Sequence, residues 1–228
     1  ALPTTSGTGA EATKNAVIGV PACSRKVSLR DDRMLARIAI VDPALTDHCP
    51  RAITLASGLD AITQVIEPYV STRANPFTDA LTRPAIAMGL EALMRLMQSE
   101  DADARDRLAW VSLCGGLALA NSGLGAVHGL AGAIGGVVPA AHGAICGALL
   151  GPVIAMNRVR ASGQAAHRLA EVAQILGHAF QCSAAQSPLA LAEWAKTAGL
   201  PGLAAQGLAE DQFPSVAEAA LLSSSMKA

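Results

Sequence analysis

Between Leu108 and Asn157 the sequence has no Asp, Glu, Lys or Arg. A stretch that long without ionised groups excludes a solvated surface region and raises the question of a membrane span. A span needs roughly 20 consecutive, mainly apolar residues. Here the run is broken by Asn121-Ser122-Gly123, His128, Gly135-Gly136, Pro139 and His142, and no aromatic belt flanks it. Core helices fit this pattern and a membrane protein does not. Aromatic residues are scarce, at 3%, so Ala, Gly and Leu fill the interior and let helix axes approach closely. No CxxC occurs, and the five cysteines (Cys23, Cys49, Cys114, Cys146 and Cys182) are widely spaced. That excludes a disulfide framework and favours reduced thiols, packed as small core residues in an intracellular, cytoplasmic protein. There is no charge excess either, with 17 Lys and Arg against 18 Asp and Glu in 228 residues. Neither nucleic acid nor an anionic membrane is therefore expected as a partner. The sequence begins ALPTTSGTG, without Met or a signal-peptide pattern, and stops at SSSMKA. It reads as a piece of a longer protein.

What is present falls into two parts. AVIGV (Ala16–Val20), KVSLR (Lys26–Arg30) and ARIAIVD (Ala36–Asp42) are β-branched-rich runs between Pro, Ser and Asp, and they predict strands. The Gly/Thr-rich segment from Thr4 to Thr13 predicts a loop leading into a helical turn. From about Cys49 the strand signals vanish and helix follows helix: Pro50 to Val70, Asn75 to Gln98 with a kink expected at Pro84, Ala102 to Ala120, Ala126 to Gly135, Ala141 to Met156, Gly163 to Gly177, Pro188 to Gly199 and Phe213 to Ser224. The expected architecture is mainly α: residues 1–47 as the last strands of an α/β domain, then residues 48–228 as an all-helical domain.

Within GLDAITQVIE, Asp60 and Gln64 stand at i and i+4, one above the other on a helix. Ile62 and Ile66 mark a neighbouring apolar face, so the polar pair lies in or beside a buried stripe. A lone buried carboxylate is costly unless something neutralises it. The competing reading is a break at Gly58 with Asp60 as a new helix cap facing water. His128 and His142 are the two histidines of the uncharged stretch. Each alone is compatible with a hydrogen-bonded core histidine. Together they bracket glycines and a proline where the chain can turn back. One carboxylate and two imidazoles brought to a point would make a divalent-metal site with room for a further ligand.

Three segments carry a resemblance: LPTTSGTGAEAT, SGLDAITQVIEPYVSTRANPFTDAL and GLALANSGLGAVHGLAGAIGGVVPAAHGAICGALLGPVIAMN. They resemble the iron-containing alcohol dehydrogenases, relatives of glycerol dehydrogenase and dehydroquinate synthase. The resemblance implies a dehydroquinate-synthase-like helical domain after the last strands of a nucleotide-binding domain. It places metal ligands at Asp60, Gln64, His128 and His142, with Fe2+ or Zn2+ as the ion. It places NAD or NADP contacts at Thr4, Thr5, Thr8, Val17 and Lys26. It further implies hydride transfer between that cofactor and a small alcohol, aldehyde or ketone, in a homodimer. Two departures stand out: Gln64 occupies a position that is usually His, and Gly132 one that is often His. No GxGxxG or Gly-Gly-Gly-Ser phosphate loop is found, so this stretch by itself is expected to be inactive. The alternatives are a metal-independent enzyme like maleylacetate reductase and a non-catalytic helical binding domain.

Overall fold

The computed structural model describes residues 1–20, 22 and 25–227. Cys23 lies outside the described residues; Cys49, Cys114, Cys146 and Cys182 are free thiols. The fold is mainly α. Strands β1 (Asn15–Val20) and β2 (Arg25–Arg30) form one antiparallel hairpin, with Val17 opposite Ser28 and Gly19 opposite Lys26. Eight α-helices follow among the described residues: α1 (Arg51–Val70), α2 (Pro76–Leu96), α3 (Ala102–Ser122), α4 (Ala126–Val137), α5 (His142–Arg160), α6 (Gly163–Ala179), α7 (Ser187–Thr197) and α8 (Phe213–Leu221).

The third expected strand does not form. Ala36–Asp42 has strand composition but no ladder; its backbone links are Ile40 N–H to Ala1 O, at 2.9 Å, and the Ala1 amine to Ile38 O, at 2.7 Å. A strand is stabilised by a paired neighbour, and β-rich composition alone does not supply one. Ile38 and Ile40 accordingly face solvent.

The helix ends follow local chemistry. The Asn75 side chain accepts from Phe77 N and Thr78 N, and Thr78 returns a bond to Asn75 N, closing a capping box at α2. Asp101 caps α3 through Ala104 N. Pro84 lies inside α2, which continues through it. Helix α1 also runs unbroken through Gly58, which removes the alternative of a new cap at Asp60. A side chain at Gly58 would meet Leu93 Cδ1 of α2 at 2.5 Å, so this glycine serves close packing of two helices.

The core is built around α1. Leu59, Ile62, Ile66, Ile86, Leu90, Leu93, Leu108, Ile145 and Leu150 are each fully buried. Each such side chain contributes on the order of 1.5–3 kcal/mol over its exposed state. No single described helix is long and apolar enough to cross a membrane; α3 and α4 meet the length and composition only together, and they are bent by 98° between Ser122 and Ala126. That bend turns α4 back across α1 and carries His128 inward.

Candidate metal centre

Two helices, α4 and α5, meet over the middle of α1. Asp60 and Gln64 project from α1, His128 from the first turn of α4, and His142 from the first position of α5. Close approach of α5 to α1 depends on Gly143: a Cβ there would come within 2.3 Å of Ala56 O and 3.2 Å of Asp60 Cβ. The sequence thus brings the first turn of α5 down onto Asp60 by having no side chain beside His142.

Asp60 is 3% exposed and His128 8% exposed. His128 Nε2 lies 3.3 Å from Asp60 Oδ1, yet neither atom has a hydrogen-bond partner of proper alignment. Two buried polar atoms therefore face each other with their bonding capacity unused, which is costly unless something joins them. Ligating atoms of Asp60, His128, His142 and Cys146 all lie within 4.8 Å of one another. The His128 and His142 rings are 5.4 Å apart and tilted by 54°.

The other nitrogen of His128 is fixed. Its Nδ1 lies 2.7 Å from Glu67 Oε2, on the buried carboxylate two turns after Asp60. Glu67 also accepts from Val127 N at 2.6 Å and His128 N at 3.4 Å. Helix α4 has no side-chain cap of its own, so a carboxylate from α1 satisfies its free N–H groups and complements its dipole. Gly125 makes this possible, because a Cβ there would sit 2.8 Å from Glu67 Oε1.

The electrostatics follow from this arrangement. Burial opposes ionisation of Asp60, but His128 and His142 hold its carboxyl below the usual range. Burial also disfavours a charged His128, and contact with Asp60 and Glu67 overrides it, pushing the pKa up to about 10. His142 is shifted the other way, by burial and by the positive charges of His128 and Lys26 against the pull of Asp60. Burial, reinforced by Asp60 and Glu67, raises the Cys146 thiol well above its ordinary value.

The other sequence-predicted residues lie around this cluster. Gln64 is buried and its amide nitrogen donates to Thr8 O. Thr4, Thr5 and Thr8 lie on an exposed loop. Gly9, with φ of +57°, seats that loop on α3, where a Cβ would strike Ser112 O at 2.3 Å and Gly116 N at 2.7 Å. Val17 is exposed on β1. Lys26, on β2, crosses α4 at Gly135, where an added Cβ would come within 2.7 Å of its Nζ. Sequence reasoning missed Cys146 and Glu67. The His142-x3-Cys146 spacing places both on one helix face, and Glu67 stands seven residues after Asp60; both signals were available.

A model of the Fe-containing alcohol dehydrogenase family, C-terminal part, matches residues 54–227, and one of iron-containing alcohol dehydrogenase matches residues 1–43. The chain belongs to the iron-containing alcohol dehydrogenase family. It is 35% identical over 226 residues to the NAD-dependent methanol dehydrogenase of Bacillus methanolicus, covering 96% of this chain and 58% of that protein. It superposes on 1,3-propanediol oxidoreductase with a TM-score of 0.86 at 30% identity, over 100% of this chain and 60% of that one. Maleylacetate reductase from Rhizobium sp. strain MTP-10005 is similar too, with a TM-score of 0.81 at 25% identity over 97% of this chain and 60% of that one. The chain thus spans under two thirds of the length of these iron-containing alcohol dehydrogenase relatives.

Proposed function

We propose that this chain contributes the metal-binding part of an NAD(P)-dependent alcohol dehydrogenase, which moves a hydride between the cofactor and a small alcohol, aldehyde or ketone. The observation that carries the reading is the pair of buried, unpartnered atoms, Asp60 Oδ1 and His128 Nε2, with His142 beside them. A divalent cation, Fe2+ or Zn2+, would bond both atoms, taking the place of the proton that His128 otherwise carries between them. The donor chemistry fits: one carboxylate and two imidazoles suit either ion.

When bound, the ion supplies Lewis-acid polarisation of a substrate oxygen, and the nicotinamide carries the hydride. The chain's own residues prepare the site. Glu67 engages His128 Nδ1, which leaves Nε2 directed at Asp60. His142, its pKa lowered, keeps a lone pair available. The apolar residues packed around the cluster limit water and strengthen every electrostatic contact inside. Gln64 stands at the edge of the site as a weak oxygen donor or lining group. Thr4, Thr5 and Thr8 offer hydroxyls, and Lys26 a positive charge, to the ribose and phosphate oxygens of the cofactor, with Val17 beside them. Residues 1–47 are assigned to the end of the nucleotide-binding domain and residues 48–228 to the helical domain. The stretch alone is inactive on this reading, and the whole enzyme works as a cytoplasmic homodimer.

Metal analysis tests the assignment. In the full-length enzyme, replacing His128 or His142 with Ala is expected to reduce bound metal to background and to abolish NAD(P)-linked alcohol oxidation. Full turnover by rigorously metal-depleted protein would instead favour a metal-independent reductase. The likeness to maleylacetate reductase and the glutamine at position 64 are what support that rival.

A further inference from the structure

The buried cluster has a member that the resemblance leaves unassigned. Cys146 is fully buried, one turn beyond His142 on α5, with Sγ 3.6 Å from His142 Nε2. It belongs to the set of four residues whose ligating atoms lie within 4.8 Å of one another. We propose that the Cys146 thiolate is the fourth strong protein donor to the metal ion, in place of an imidazole at position 64. This rests on the reading that Asp60, His128 and His142 hold a metal.

Three observations converge on it. First, distance. Around a tetrahedral ion with metal–nitrogen bonds of about 2.0–2.1 Å and a metal–sulfur bond of about 2.3 Å, neighbouring N and S donors are about 3.5 Å apart, and N and O donors about 3.3 Å. Two edges of the cluster already have these lengths: Cys146 Sγ to His142 Nε2 at 3.6 Å, and His128 Nε2 to Asp60 Oδ1 at 3.3 Å. Second, unmet need. Asp60 Oδ1 and His128 Nε2 are buried without partners and belong to this same cluster. Third, the competing donor is weaker. The Gln64 amide nitrogen is tied to Thr8 O, which leaves its neutral amide oxygen as the only possible ligand atom, and that oxygen is a weaker ligand than a thiolate for zinc-like ions.

Binding removes the thiol proton to solvent, because the thiolate is the ligand. Asp60, His128, His142 and Cys146 would then hold the ion, and Lewis-acid polarisation of a substrate oxygen is the chemistry it would supply. A site with sulfur in it also differs from an all-nitrogen-and-oxygen site in its metal choice, since thiolate favours softer ions.

The test uses Co2+ as a spectroscopic probe in the purified protein. The expected result is stoichiometric Co2+ binding with a thiolate-to-cobalt charge-transfer band in the near ultraviolet, lost in Cys146→Ser and retained in Cys114→Ala. X-ray absorption of the Zn2+-loaded protein is expected to show a sulfur neighbour at about 2.3 Å. Cys146→Ser should weaken Zn2+ binding more than about tenfold in chelator competition, at least what losing an outer-shell partner costs. Stoichiometric Co2+ binding without the band and without the sulfur shell overturns the role of Cys146 and leaves the metal site standing. No Co2+ binding at all overturns both. Should the serine variant not fold, Cys146→Ala is read in its place, and absence of the band from the unsubstituted protein overturns the role of Cys146 by itself.

Discussion

Protons on His128 compete with any ion at its Nε2. With its pKa raised from 6.5 to about 10 by Asp60 and Glu67 against the cost of burial, metal-free His128 is charged near neutral pH. Its contribution to folding is whole below pH 6.5, where folded and unfolded forms are both protonated. It fades as pH rises through about 10, where the folded form also loses its proton. Metal affinity has the opposite sign: an ion must displace that proton, so binding tightens as pH rises over the same window. Denaturant melts of metal-free protein and Zn2+ titrations across that window are expected to diverge; parallel trends would contradict a protonated His128. At this scale the sequence was partly legible. Asp60, His128 and His142 stand out because each is ionisable amid apolar neighbours. Cys146 does not, since a cysteine in an Ala/Gly/Leu helix has the profile of core filler. Glu67 is hidden by its place near the end of α1, where a carboxylate ordinarily meets solvent.

Among the helices, glycine sets the spacing. Gly143 and Gly132 are both helical, and they predict opposite outcomes. Gly143→Ala forces a methyl against the Ala56 carbonyl, which cannot move without shifting α1. The expected cost is about 1–3 kcal/mol in thermal or chemical unfolding, with weaker metal binding because His142 is displaced from Asp60. Gly132 has nothing within 4 Å of an added Cβ. Gly132→Ala is therefore expected to be neutral or to stabilise by up to about 1 kcal/mol through helix propensity. Equal effects of the two substitutions would refute the close-packing account. Helix positions were largely readable, because caps such as Asn75-Pro76 and the apolar period both point to them. The strand at Ala36–Asp42 was not: its residues favour extension, but the hydrogen-bond partner that makes a strand is a property of the rest of the fold.

Over the whole molecule, order follows burial. The α1, α2, α3 and α5 interior is continuous, whereas residues 1–45 expose Leu2, Val17, Ile18, Leu29, Ile38 and Ile40. Amide hydrogen exchange is expected to be slowest in α1 to α3 and fastest in residues 35–42, whose backbone is tied mainly to Ala1. Slow exchange there would contradict this ranking of order by burial. The Gln64-to-Thr8 bond links these two regimes. One amide anchors a threonine loop to the helix that also carries Asp60. An imidazole substituted at position 64 has two ring nitrogens, so one could turn to the ion while the other N–H takes over the bond to Thr8 O, as His128 divides its own between Asp60 and Glu67. Position 64 thus ties two features together, the buried cluster around Asp60 and the seating of the loop that carries Thr8, and a substitution there bears on both.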